Sequence, residues 1–95
     1  MIVALIIGIV ACTGSMSPVL ECGDRVQMAE IDINHEMVNG DIYTYYTNNQ
    51  SHLKVHRYLF TTRNGSIRFY SDAYNYWEDV PRSHVQHHVL YKILP

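Results

Sequence analysis

The chain has 95 residues, 47% of them hydrophobic and 17% charged, with a formal net charge of −2. That length holds one domain at most, and seven scattered Lys+Arg against nine Asp+Glu exclude both a disordered tail and a nucleic-acid binder. Eight Tyr and six His are many for so short a chain, and because Tyr favours half-buried pleated surfaces and binding faces, the bias points to β-structure with an adhesive face.

The first element is an apolar run, Ile2 to Ala11, followed by Thr13, Gly14, Ser15, Ser17 and Pro18; the first charged side chain is Glu21. Ten residues of helix reach about 15 Å, half of the ~30 Å hydrocarbon core. A short apolar stretch followed by small residues has the form of a secretory signal. Ile9-Val10-Ala11-Cys12 also resembles a bacterial lipobox, in which Cys12 takes a lipid, becomes the new N-terminus and tethers the protein to a membrane through Thr13 to Leu20. Residues 1–20 are therefore expected to be a signal peptide, or a lipoprotein signal plus tether, and residues 21–95 a single small β-domain. No Lys or Arg precedes the run, although signals normally carry one. A buried strand around Ile2-Val3 and Ile6-Ile7 and a membrane anchor stretching to Leu20 stay open as alternatives. If Cys12 is removed or lipidated, Cys22 is free or links two chains into a dimer. If both remain, a Cys12–Cys22 loop is sterically possible in an oxidising compartment.

From Arg25 the pattern alternates and turns. Arg25 to Asn34 reads as a strand, and Val38-Asn39-Gly40-Asp41 carries the Asn-Gly pair that a type I′ hairpin turn demands. Ile42 to Thr47 is aromatic and β-branched, Asn48 to Ser51 is a loop, and His52 to Thr62 alternates again. Asn64-Gly65 supplies a second hairpin signal before a strand over Ile67 to Ser71. Asp72 to Arg82 is ambiguous, with Asp79 and Pro81 suggesting a loop near its end. In His84 to Leu94, period 2 places Val85, His87, Val89, Tyr91 and Ile93 on one face; a helix capped by Ser83 is the local rival. The expected fold is all-β: a small antiparallel meander of five to six strands forming a sandwich or barrel.

Candidate chemistry is sparse. His84 and His88 share a strand face but stand ~13 Å apart at ~3.3 Å per residue, so a metal there needs His52 or His56 from a neighbouring strand. Glu78 and Asp79 are adjacent and point to opposite faces of any strand, so they cannot act as paired carboxylates; a solvated loop is expected. No nucleophile elbow or phosphate loop is present, and no enzyme activity or cofactor is expected. Aromatic density is the stronger signal. Some rings must form the core; the rest suit a protein-binding face, with Tyr43, Tyr45, Tyr46, Tyr70 and Trp77 as anchors beside Arg63 and Arg68. Asn49-Gln50-Ser51 and Asn64-Gly65-Ser66 are glycosylation sequons at Asn49 and Asn64, both in expected loops.

With the lipobox-like start, Cys22 after the tether, and Asn64-Gly65-Ser66-Ile67-Arg68-Phe69-Tyr70 leading to Trp77, the chain resembles the membrane-bound C-type lysozyme inhibitors over about a dozen residues. That resemblance implies a small β-barrel lipoprotein whose inhibitory loop maps to Ser66, with Arg68 beside it. The chain departs from that family in having no C-terminal Cys to pair with Cys22, no aromatic at position 20 and a single Gly in the loop. The overall expectation is an exported β-domain that binds a protein partner, inhibiting or masking it. A His-based metal-binding envelope protein and a structural envelope component are the alternatives.

Overall fold

The computed structural model describes residues 4–47 and 53–94. Its strands are β1 (Leu5–Ile9), β2 (Arg25–Glu30), β3 (Ile42–Tyr46), β4 (Leu53–Thr61), β5 (Ile67–Tyr70), β6 (Trp77–Val80) and β7 (Val85–Ile93), with one 3-10 turn at Arg82–His84. All lie in one antiparallel sheet of order β1-β2-β7-β3-β4-β5-β6. The all-β antiparallel class is as expected. Among the described residues after position 20 there are six strands, within the expected five to six, and β1 from the opening segment adds a seventh; the expected sandwich or barrel is corrected to a single open sheet, with β1 and β6 as its edges. The closed barrel implied by the resemblance is absent for the same reason.

Two further corrections concern connectivity. The Asn39-Gly40 turn forms, with Asp41 N–H donating to the Val38 carbonyl at 3.0 Å, but it closes no hairpin between β2 and β3. Instead β7 lies between those strands, and the turn extends the β3–β4 ladder through Gly40 N–H to the Tyr58 carbonyl at 2.9 Å. The expected loop around Asp79 is strand β6, paired with β5. The second Asn-Gly turn behaves as read: Gly65 has φ +91°, a value that favours glycine, and Thr62 N–H donates to the Ser66 carbonyl at 2.8 Å.

β7 is a strand, but a residue is skipped in its register against β3 near Gln86 and against β2 near Leu90. Each bulge moves the following side chains to the other face. Val85 therefore packs with Tyr43, Tyr45, Tyr58, Ile67, Phe69 and Val80 on one face of the sheet. Val89 packs with Val26 and Met28 on the other, under Val10, Met16 and Leu20 from the β1–β2 loop. The single face expected for Val85, His87, Val89, Tyr91 and Ile93 is thus broken by the bulges.

The opening segment is part of this arrangement. Leu5 to Ile9 pair residue by residue with Ala29 to Arg25. Glycine at position 8 has a packing reason, because a Cβ there would lie 2.8 Å from the Met28 methyl. Met16 and Leu20, expected in a flexible tether, are 1% and 3% exposed. Cys12 and Cys22, with Cα atoms 4.3 Å apart, form a disulfide across this loop. This is the loop left open for a chain that keeps both cysteines; with the two sulfurs joined to each other, Cys22 makes no interchain bond and Cys12 carries no lipid in this arrangement. No helix among the described residues is long and apolar enough to cross a membrane.

Candidate functional site

Two clusters stand out on the sheet, and the alternation of β4, β5 and β6 puts them on opposite faces. On β5, Ile67 and Phe69 are buried while Arg68 and Tyr70 face outward. Their register partners on β6 follow suit: Arg68 faces Asp79 and Tyr70 faces Trp77. On β4 the register slips between Tyr58 and Phe60, which turns Phe60 out beside Arg68. The Arg68 guanidinium then lies over two rings, 3.8 Å from the Trp77 centroid and 5.0 Å from that of Phe60. Asp79 fixes its edge through Nε–H to Oδ1 at 2.7 Å and Nη2–H to Oδ2 at 2.9 Å. These hydrogen bonds hold the Asp79 carboxyl below its ordinary range and raise Arg68. Phe60 and Trp77 remain 43% and 55% exposed. The next row of the same face carries Arg57, bidentate to Asp72 at 2.9 and 2.5 Å.

The second cluster is polar and inside. Tyr45, fully buried and stacked on Phe69 with centroids 4.1 Å apart, donates its hydroxyl proton to Glu78 Oε2 at 2.5 Å. His56 Nδ1 lies 2.7 Å from the same hydroxyl oxygen. A tyrosine has one proton, already given to the carboxylate, so His56 Nδ1 carries a hydrogen and donates it. Lys54 and Tyr76 also donate to Glu78, at 3.1 and 3.0 Å. Burial alone would raise Glu78, but these three donors outweigh it and hold the carboxyl below 4.5. Burial likewise raises Tyr45, helped by Glu78, and lowers His56 below 6.5 so that the imidazole is neutral.

His56 borders a cavity of about 510 Å³ that extends under the β1–β2 loop, with Val10, Met16, Val26, Met28 and Val55 among its walls. It exists because β5 pairs with β4 only from Arg57 onward, leaving Leu53–His56 with no strand on that side among the described residues. The Ser71–Tyr76 connection arches over this gap and is tied to the β1–β2 loop by Ala73 N–H to the Ser15 carbonyl at 3.0 Å and Tyr74 Oη–H to the Thr13 carbonyl at 2.9 Å. Ser71 Oγ–H donates to that Ser15 carbonyl as well.

The residues expected to form a binding face are only partly brought together. Arg68, Tyr70 and Trp77 share the outer face. Tyr43 and Tyr45 are corrected to core residues with no exposure; Tyr43 Oη accepts from Val38 N–H at 3.0 Å and stacks on His88. Period 2 on an inner strand, fully packed on that side, explains both. Tyr46 is half-buried, and its carbonyl meets His84 Nδ1 at 3.0 Å. Arg63 is exposed at the tip of the β4–β5 turn, and Ser66 closes that turn. Asn64 is exposed there, its Oδ1 accepting from Ser66 N–H and Thr62 Oγ–H. Asn49 lies outside the described residues. Of the residues considered for a metal, His84 faces the Tyr46 carbonyl and His88 Nε2 meets Asp41 at 2.8 Å; no cluster of three or more metal-ligating side chains occurs among the described residues, and His52 lies outside them.

Sequence reasoning missed Phe60, Asp79, Glu78, Lys54 and the role of His56. The adjacency of Glu78 and Asp79 was the available signal. On β6 they do point to opposite faces, one serving the inner network and the other the outer ladder. In comparisons with known proteins, no family model matches the chain, and neither a characterised protein nor a solved structure is found to be similar to it.

Proposed function

We propose that this chain is an exported, non-enzymatic β-domain that binds a protein partner through the outer face of β4, β5 and β6, inhibiting or masking that partner. The observation that carries the reading is the Arg68 guanidinium held between Trp77 and Phe60 and clamped by Asp79. Binding hot spots are enriched in Trp, Tyr and Arg, and a side chain already fixed in place loses little rotamer freedom on association. Arg68 Nη1 bonds to no described residue, so a partner offering a carbonyl or carboxylate there, with apolar surface for Trp77, fits the face. The Cys12–Cys22 bond supports a secreted or envelope location, because disulfides persist in oxidising compartments.

The resemblance described above suggests C-type lysozyme as the first partner to try. Wild-type protein is expected to bind immobilised lysozyme and slow its lysis of cell walls. Trp77→Ala and Arg68→Ala are expected to weaken that binding about tenfold or more while melting as cooperatively as wild type. If lysozyme is not bound, affinity capture from the native surroundings supplies the partner for the same comparison. Variants that hold a partner as tightly as wild type would overturn the assignment of this face.

A further inference from the structure

The inner cavity is separate from the outer face and is lined by one polar group that its neighbours do not fully satisfy. Its apolar walls come from both the sheet and the β1–β2 loop, and its volume of about 510 Å³ lies within the range of small-molecule sites. Among its polar side chains, Tyr74 and Ser71 donate to backbone carbonyls, and Tyr76 donates to Glu78. Lys54 donates to Glu78 too, so its charge is already balanced. Thr44 Oγ1 is paired with His87 Nδ1 at 2.7 Å. His56 differs from all of these. Its Nδ1–H is given to Tyr45, so Nε2 of the neutral ring carries a lone pair. That nitrogen bonds to no described residue, although His56 is only 5% exposed. No described side-chain nitrogen or oxygen is both fully buried and unpartnered, so Nε2 opens onto the cavity that His56 lines.

We infer that this cavity binds a small, mainly apolar molecule carrying one hydroxyl group, with His56 Nε2 accepting the hydroxyl proton. The Glu78–Tyr45 chain behind the ring specifies this preference: it fixes the tautomer that presents an acceptor, and so selects a donor. A carboxylate ligand would find two lone pairs facing one another at His56 and a lysine already neutralised. A hydrocarbon of the same shape would leave Nε2 without a partner, the situation that most strongly separates ligands with and without a matching polar group.

Three matched probes test this: 4-butylphenol, butylbenzene and 4-butylbenzoate, each titrated calorimetrically into the full chain at pH 7.5. The phenol is expected to bind at least fivefold more tightly than either of the others. In His56→Asn, whose amide N–H can replace Nδ1–H toward Tyr45 while nothing replaces Nε2, the phenol and butylbenzene are expected to bind alike. In wild type, the His56 Nε2 nitrogen resonance is expected to shift with the phenol and not with butylbenzene, a readout independent of how the variant folds. The proposal is overturned if none of the probes binds at 1 mM concentrations (about 4 kcal/mol of binding free energy). It is equally overturned if the benzoate is preferred, if the phenol has no advantage in wild type, or if Nε2 does not respond.

Discussion

Replacing Tyr45 by Phe removes one oxygen atom from the centre of the inner network and nothing from its packing. The ring keeps its stack on Phe69, so no cavity is created. Two bonds are lost: the proton given to Glu78 and the one accepted from His56. A hydrogen bond to a charged group contributes roughly 1.5–3 kcal/mol, and an imidazole N–H left without a partner in the interior costs about 1–3 kcal/mol. Glu78 keeps Lys54 and Tyr76 as donors, which places its loss at the lower end. The sum is a destabilisation of about 3 kcal/mol, a large share of the 5–15 kcal/mol typical of small domains. Urea unfolding at pH 7 should show the midpoint falling with an unchanged slope, because the buried surface is the same. The Glu78 share is pH-dependent. Its carboxyl is held below 4.5 in the fold, so the stability it confers is fully present above that value and is lost as pH falls through the folded value. The penalty of Tyr45→Phe should therefore shrink as pH falls below 4.5 and through the folded value. A loss under about 1 kcal/mol at pH 7 with an unchanged slope would refute the hydrogen-bond assignment, and with it the His56 tautomer.

Further outcomes follow from the disulfide, the opening segment and the histidines. Cys12→Ser or Cys22→Ser should cost about 2.7 kcal/mol, the closure entropy of a loop with sequence separation 10; a reductant should lower the melting point of wild type and leave the variants unmoved. Disulfide-linked dimers on a non-reducing gel would contradict this pairing. A chain starting at Glu21 lacks β1 and three residues of the second core, Val10, Met16 and Leu20, and should lose cooperative unfolding. A sharp melt matching the full chain would instead return residues 1–20 to the role of a removable signal. His35, His56 and His87 are all held below 6.5, chiefly by burial, with His88 and Arg82 adding to the effect at His35. The unfolded chain therefore binds more protons as pH falls, so stability is greatest above pH 6.5 and declines as pH drops through the folded values. A melting point that is flat or rising from pH 7.5 to 5 would rule out this contribution.

The local features of the fold were legible in the chain itself. Asn39-Gly40 and Asn64-Gly65 both turn, Ile67 to Tyr70 alternates as its burial does, and the stretch from Val85, with two Val, a Tyr and an Ile, is a strand rather than a helix. Pairing over long separations was not legible. Nothing near Val85 signals that it will sit beside Tyr45 rather than next to β6, because that choice depends on how two distant strands match their apolar faces. The candidate sites failed or held for the same reason. Arg68, Tyr70 and Trp77 come from adjoining strands joined by a short connection, and the expectation kept them together. Tyr43 and Tyr45 lie on an inner strand whose burial is set by β7, about forty residues later. His56 becomes meaningful only through Tyr45 and Glu78, eleven and twenty-two residues away in opposite directions.

The place of β7 also shapes the birth of the molecule on the ribosome. As the chain emerges, β1 and β2 can form their hairpin, and β3 to β6 can form a meander, but the two half-sheets have no strand in common. Besides the outer edges β1 and β6, which the finished sheet keeps, each waits with an additional open edge, that of β2 in the first and that of β3 in the second, until β7 arrives and pairs with both. Open edges of this kind are templates for pairing with the wrong chain, and distant pairings form slowly. Nascent chains halted before Val85 should therefore be the most vulnerable species in the protein's life. Completion of the C-terminal strand converts two adhesive fragments into one sheet.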